Sequence, residues 1–211
     1  MEPYRKPDNN KLLRLTSVQS KIKLADFLKK HLGYSDNVTV MDIGCGEGIN
    51  TLALSHHFLK VIGVEPSKSM LIAAENNKRT VSDNGQDHSN TIFIEGGFQD
   101  IPNISSMSSA KIDIILMFNS IHFVESVNHA LSNVFNRLKN GGIVYISEPN
   151  ENSKFGNPIL NADGPSRDKK LQELKEKHQE IKQYIKENDR NINIIYQDFI
   201  KGTQYILKKI R

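Results

Sequence analysis

A single cysteine, Cys45, leaves this 211-residue chain unable to form a disulfide within itself and fits a reducing compartment. Tryptophan is absent, which excludes nothing. No apolar run approaches the ~18–20 residues that cross a bilayer as a helix, so no membrane partner is expected. The first ten residues, MEPYRKPDNN, lack the apolar stretch of a secretory signal. The expectation is therefore a cytoplasmic protein. His31 and the pair His56-His57 have no nearby acids or thiols at metal-ligand spacing, so no metal is expected. Neither an internal repeat nor a dividing linker is visible, and the length suits one domain with a sizeable core.

What is present is unevenly charged. The net charge is +4, yet residues 1–30 hold eight bases against Glu2, Asp8 and Asp26, a net of +5. This asymmetry has two readings: attraction of an anionic substrate or nucleic acid, or a solvated helix face. Hydrophobic residues at 37% and charged residues at 25% lean towards a water-soluble domain.

The most informative stretch is Val38–Ser69. An apolar run, Val38–Met41, ends in Asp42; Gly44, Gly46 and Gly48 follow at alternate positions; a second apolar run, Val61–Val64, ends in Glu65. Strand, glycine turn, helix, strand and acid make one βαβ unit suited to a nucleoside. Glu65 lies 23 residues beyond Asp42, near the spacing at which a second-strand carboxylate meets ribose hydroxyls. The dinucleotide fingerprint is G-x-G-x-x-G, and here the third glycine comes one residue early. Asp42 would also repel a pyrophosphate. A cationic ligand is welcome there instead.

Asp42-Ile43-Gly44-Cys45-Gly46-Glu47-Gly48 resembles the first motif of class I S-adenosylmethionine-dependent methyltransferases, and Val61–Ser67 resembles their second-strand motif. The resemblance runs over roughly residues 36–148. It implies S-adenosyl-L-methionine as cofactor, held by Asp42, Gly44, Cys45, Gly46, Gly48, Glu65 and Pro66. In the third-strand segment, Phe93–Pro102, the family places adenine contacts. The usual acidic and small residues are replaced there by Gly97 and Phe98. Phe98 offers a stacking face, with a core aromatic as the other reading. Asp100 reads as an adenine-amine acceptor or as a loop cap. Asp113–Phe123 resembles the fourth motif, which assigns Asn119 to the methionine end of the cofactor. His122 is the candidate catalytic base, since an imidazole titrates near neutrality; the alternative is a structural histidine. Leu138–Pro149 resembles the fifth-strand segment and reads as mainly structural. Tyr4–Pro7 resembles an N-terminal contact segment of small-molecule members.

Apolar spacing along 11–31 (Leu15, Val18, Ile22, Ala25, Leu28) predicts one amphipathic helix, ended by Gly33. Helices are expected near 48–57, 67–77 (Met70, Leu71 and Ala74 inward), 126–138 and 167–189. Strands are expected at 38–41, 61–65, 91–95, 112–118, 143–147, 192–198 and 203–210. Loops are expected at 82–90, at Ser105–Ala110 and over 149–166, with turns at Asn140–Gly142 and Lys201-Gly202. The fold expected is α/β: a Rossmann-like, seven-stranded, mainly parallel sheet with a reversed C-terminal strand and helices on both faces.

One domain, 1–211, would then comprise an N-terminal helical lid (1–34), a cofactor-binding core (36–148) and a closing helix and strand pair (149–211). The fourth motif lacks [DN]-P-P-[FYW], against amino methylation of adenine or glutamine. A lone cysteine excludes the covalent route to cytosine C5. The leading expectation is methyl transfer to a small-molecule acceptor, as in the trans-aconitate methyltransferase group. An RNA or protein methyltransferase, or a catalytically inactive cofactor-binding partner, are the rivals. Oligomeric state is not read from the sequence.

Overall fold

Strands without a polar face build the middle of this protein. Ile112, Ile114, Ile115, Leu116 and Met117 are all fully buried, as a parallel strand covered on both sides requires. The computed structural model describes residues 9–33, 37–104, 111–150, 165–198 and 203–210. Expectations for Tyr4–Pro7, Ser105–Ala110, most of 149–166 and Lys201-Gly202 lie outside the described residues.

The helices are α1 (Asn9–Thr16), α2 (Ile22–Leu32), α3 (Ile49–Ser55), α4 (Lys68–Asp83), α5 (Val127–Arg137) and α6 (Pro165–Glu187). The strands are β1 (Thr39–Ile43), β2 (Lys60–Glu65), β3 (Thr91–Glu95), β4 (Ile112–Phe118), β5 (Leu138–Glu148), β6 (Ile192–Asp198) and β7 (Thr203–Lys209). They form a seven-stranded mixed sheet in the order β3-β2-β1-β4-β5-β7-β6, flanked by helices. By contact the chain divides into two units, Met1–Glu95 and Gly96–Arg211.

In the first unit β1 pairs with β2 and β2 with β3, all parallel. The expected single helix over 11–31 is two helices. Lys21 takes a left-handed φ of 62° between them, and the helical phase resets. Leu12 and Thr16 are buried on α1, and Ala25 and Leu28 on α2. Val18 and Ile22, expected on the buried face, are 50% and 38% exposed for that reason. Gly33 ends α2 in the left-handed conformation and donates its N–H to Lys29 and Lys30 carbonyls.

The carbonyls left over at the end of α1 are received by side chains. Gln86 Nε2 donates to Leu13 O at 3.0 Å, and Thr16 Oγ1 donates to Gln86 Oε1 at 3.0 Å. His56 Nε2 meets Thr16 O at 2.8 Å and His57 Nε2 meets Ser20 O at 3.1 Å. His88 joins Ser55 Oγ at 2.6 Å. Burial, with the neighbouring His56 second, lowers the His88 pKa to about 4. The paired histidines thus anchor the N-terminal helices.

Ser67 caps α4 by accepting from the Met70 N–H. The helix runs six residues past its expected end, to Asp83. Met70 points outward at 37% exposure, whereas Ala74 is buried as expected. Phe93 of β3 packs beneath the glycine turn. A Cβ at Gly63 would lie 2.5 Å from Phe93 Cδ1 and 2.8 Å from Cys45 Sγ.

In the second unit β4 and β5 are parallel, and β7 runs antiparallel to both β5 and β6. The reversed strand is thus inserted between β5 and β6. The expected turn at Asn140–Gly142 is a bulge inside β5: Leu138 pairs with Ile112 and Ile143 with Ile114. Gly141 takes a φ of 77° within it. Helix α6 starts at Pro165, a residue suited to a first turn. Its Glu180 accepts the Val127 N–H at 3.1 Å, helping Ser126 to cap α5.

The close approach at Gly63 generates a stability test. Gly63→Ala should cost about 1–3 kcal/mol by overpacking, and Phe93→Leu should restore part of that loss by withdrawing the ring. Urea unfolding of the two single variants and the double variant measures the coupling; strictly additive losses would contradict the contact.

Candidate active site

Asp42 is the penultimate residue of β1 and Glu65 the last of β2, its parallel neighbour, with Ile43 paired to Val64. The intervening turn is stitched to β2. Gly44 and Cys45 both donate to Val64 O, at 2.8 and 3.1 Å, and Gly48 N–H donates to Cys45 O at 3.0 Å. Gly46 and Gly48 are needed for different reasons. Gly46 takes a φ of 55°, and a Cβ there would meet nothing within 4 Å, so open space lies on that side. Gly48 has a φ of 78°, and its Cβ would lie 2.5 Å from Phe93 Cζ.

Glu65 spans the turn. Its Oε2 accepts from Gly46 N–H at 2.9 Å and its Oε1 from Ser67 N–H at 3.0 Å. A carboxylate oxygen has a second lone pair, so each can accept again. Pro66, next in the chain, is exposed. Asp42 is 1% exposed; Oδ2 accepts from Thr51 Oγ1 at 2.7 Å. Its other oxygen, Oδ1, is buried with no hydrogen-bond partner among the described residues.

Burial raises the Asp42 pKa to about 6, while the Thr51 hydrogen bond and the Lys21 charge pull it down and the Glu65 charge pushes it up. Lys21, between α1 and α2, is held below its usual range by burial, with Asp42 opposing. Burial, then the two carboxylates, pushes the Cys45 thiol up, so it stays protonated at neutral pH and is no nucleophile. Burial also raises Glu47, opposed by the Asn77 amide. Asn77, buried on α4, donates to Glu47 O at 3.0 Å and fixes the turn from the other side.

The second unit holds two further groups. Asp100 Oδ2 accepts from Gly97 N–H at 2.8 Å, and Asp100 N–H donates to Gly97 O at 3.0 Å. One Asp100 oxygen therefore caps this turn, the second of its two readings. Phe98 is half-buried, and its carbonyl accepts from Asn133 Nδ2 at 3.1 Å.

At the end of β4, Asn119 is exposed with a φ of 52°, and its N–H donates to Ser147 O at 2.8 Å. A left-handed asparagine at a strand end is a locally strained conformation of the kind found at functional sites. A 3₁₀ turn, Ile121–Phe123, follows. Ser120 and Ile121 donate their N–H groups to Glu148 Oε1, at 2.8 and 3.0 Å. His122 Nδ1 is hydrogen-bonded to Glu148 Oε2. The two side chains are 8% and 1% exposed, and His122 Nε2 is buried without a partner among the described residues.

The structure thus gathers Asp42, Gly44, Cys45, Gly46, Gly48 and Glu65 in one unit. In the other it places Asn119 and His122 together, and Gly97 and Phe98 at a separate turn. Thr51, Asn77, Phe93 and Glu148 were not read as site residues from the sequence. Glu148 carried a readable signal, since it is an acid ending an apolar strand, as Asp42 and Glu65 are. Among the described residues no group of three His, Cys, Asp or Glu side chains is placed to hold a metal ion.

The raised Asp42 pKa has a signed consequence. The folded protein keeps this proton to higher pH than the unfolded chain, so stability falls as pH rises from about 4 to about 6. Asp42→Asn removes that loss. In the ligand-free protein its thermal stability should exceed wild type at pH 7.5, by up to about 3 kcal/mol, and by less at pH 5. Melting curves at both values check this; a variant destabilised at pH 7.5 would contradict it.

A model of the methyltransferase domain family matches residues 14–201. The ubiquinone biosynthesis O-methyltransferase of Coxiella burnetii is 30% identical over 115 residues, covering 54% of this chain and 45% of that protein. The chain spans less than half the length of the curated relatives it matches. Among solved structures, a SAM-dependent methyltransferase from Aquifex aeolicus aligns with a TM-score of 0.62 at 19% identity, covering 98% of this chain and 100% of that one. The plantazolicin methyltransferase BpumL, in complex with a pentazolic desmethylPZN analog and SAH, aligns with a TM-score of 0.62 at 16% identity, covering 98% and 87%. The fold is that of S-adenosylmethionine-dependent methyltransferases, and the chain belongs to the methyltransferase domain family.

Proposed function

We propose that this protein transfers the methyl group of S-adenosyl-L-methionine to a small-molecule acceptor. The observation that carries the reading is the first unit's set of acceptors: the partnerless buried oxygen of Asp42, the open side of Gly46, and Glu65 held across the turn. These fit the cofactor. Its cationic groups suit two carboxylates that would repel a pyrophosphate, and its ribose diol suits an acceptor with lone pairs to spare.

Asp42 and the turn Gly44, Cys45, Gly46 and Gly48 would hold the cofactor, with Glu65 and Pro66 at the ribose, Gly97 and Phe98 at the adenine and Asn119 at the methionine end. Bound there, it supplies a methyl group already activated on a sulfonium. The protein's residues orient and align the reactants, which is the larger part of catalysis for such a cofactor. His122 is the residue assigned to accept a proton. A small-molecule acceptor is supported by the motif resemblance and by the similarity to the Coxiella ubiquinone biosynthesis O-methyltransferase. The basic residues of 1–30 favour an anionic acceptor, or nucleic acid in the rival reading.

Calorimetry with S-adenosylhomocysteine tests the cofactor site. Glu65→Gln removes charge-assisted hydrogen bonds worth about 1.5–3 kcal/mol, so affinity should fall roughly ten- to a hundredfold. Unchanged affinity in the folded variant would sink the ribose assignment, and tight NAD binding by the wild type would favour a dehydrogenase.

Charge reversal separates the acceptor classes. Lys11 and Arg14 are exposed, so Lys11→Glu and Arg14→Glu should leave cofactor affinity unchanged, while Lys21→Glu, beside Asp42, should change it. RNA binding that is strong at physiological salt, falls steeply with added salt and disappears in the triple variant would overturn the small-molecule reading.

A further inference from the structure

We propose that Glu148 locks His122 in the tautomer that accepts a proton at Nε2, and that the methyl acceptor is therefore a protonated hydroxyl on an aromatic compound. This rests on the methyltransferase reading above and goes further by naming the acceptor group.

Glu148 closes β5 and is almost wholly buried. Its Oε1 accepts two backbone N–H groups, from Ser120 and Ile121. Its Oε2 faces His122 Nδ1, and a carboxylate group is an acceptor only. The proton between Oε2 and His122 must therefore come from Nδ1. In the neutral ring Nε2 is then a lone pair, and it is buried with no partner among the described residues. Leaving such an acceptor unused is unfavourable. A second reactant bearing a donor removes that cost.

The donor's chemistry follows from the lone pair. A hydroxyl offers its proton to Nε2 and an oxygen lone pair to the methyl carbon. A carboxylate has no proton to offer and would set its own lone pairs against that of Nε2. An amine attacks through its free lone pair and sheds its proton afterwards. Phenols ionise near pH 10, so they keep the proton at neutral pH and gain most from a base. Beside this base Phe123 is 78% exposed, with its ring centroid 4.0 Å from that of His122. An exposed aromatic ring beside the imidazole suits an aromatic acceptor.

In the step, the acceptor oxygen forms the new O–C bond while the C–S bond breaks and its electron pair stays on sulfur. The hydroxyl proton passes to Nε2, and the resulting imidazolium, paired with Glu148, later releases it to water. Glu148 is a positioning residue here: it acts through His122.

The test uses the full chain, labelled with ¹⁵N-histidine and saturated with S-adenosylhomocysteine, with ring nitrogens observed by NMR at pH 7.5. His122→Gln assigns the resonances and leaves Glu148 with its backbone bonds. The expected state is Nδ1 protonated and Nε2 bare. Glu148→Gln should reverse it, because the amide oxygen takes the Ser120 and Ile121 donors and the NH₂ faces Nδ1. A wild-type His122 carrying its proton on Nε2, or a tautomer unmoved in Glu148→Gln, overturns the role of Glu148. Adding 4-methylphenol should shift Nε2 and adding trans-aconitate should not. No shift with the phenol, or a shift with trans-aconitate alone, overturns the acceptor class. On a phenol that is turned over, Glu148→Gln should lower kcat about 100-fold or more with KM for the cofactor unchanged. Loss of homocysteine-cofactor binding by the wild type would instead defeat the methyltransferase reading, while the tautomer result would stand.

Discussion

The Val64 carbonyl accepts from the N–H groups of both Gly44 and Cys45, at 2.8 and 3.1 Å. Those two bonds fasten the start of the glycine turn to the end of β2, and the rest of the first unit's site depends on the turn being there. Once it is fastened, the Gly46 N–H reaches Glu65 Oε2, so a residue read as a ribose ligand also shapes the loop that would share the ligand. Asn77 and the Phe93 ring hold the turn from α4 and β3. The turn is a supported strap, and its glycines answer to its backing as much as to its conformation.

Electrostatics give this strap its cost. Asp42 is buried with one oxygen unmatched, and burial outweighs the help of Thr51 and Lys21 in setting its proton affinity. A fold would not hold a carboxylate this way for stability alone, since an unmatched buried acceptor is unfavourable. The same reasoning applies to His122 Nε2 in the second unit. In each case the polar group left over points to chemistry that the protein alone does not complete.

Much of this was legible from local pattern. Apolar runs ending in acids gave β1 and β2 together with Asp42 and Glu65, and β3, β4 and β6 have the expected bounds. What was not legible depended on partners distant in sequence. The break at Lys21 is supported by His56, His57 and Gln86, which no spacing within 11–31 reveals. The outward turn of Met70 follows from where α4 packs. Asp100 offered two roles, and only the hydrogen bond to Gly97 shows that one oxygen is spent on the turn. Glu148 was missed for a different reason: it fits the strand-then-acid rule used for Asp42 and Glu65, but the neighbouring paired glycines drew the segment towards a structural reading.

Three donors from three consecutive residues, Ser120 N–H, Ile121 N–H and His122 Nδ1, converge on one carboxylate. A 3₁₀ turn has about three residues per turn, so adding or removing one residue here would swing the imidazole about a third of the way round the axis. The stretch from Asn119 to His122 therefore cannot change in length, and Ile121, besides giving its N–H to Glu148, also fills the core with its side chain. Across descendants of this sequence that keep the dyad, the length of this stretch would persist.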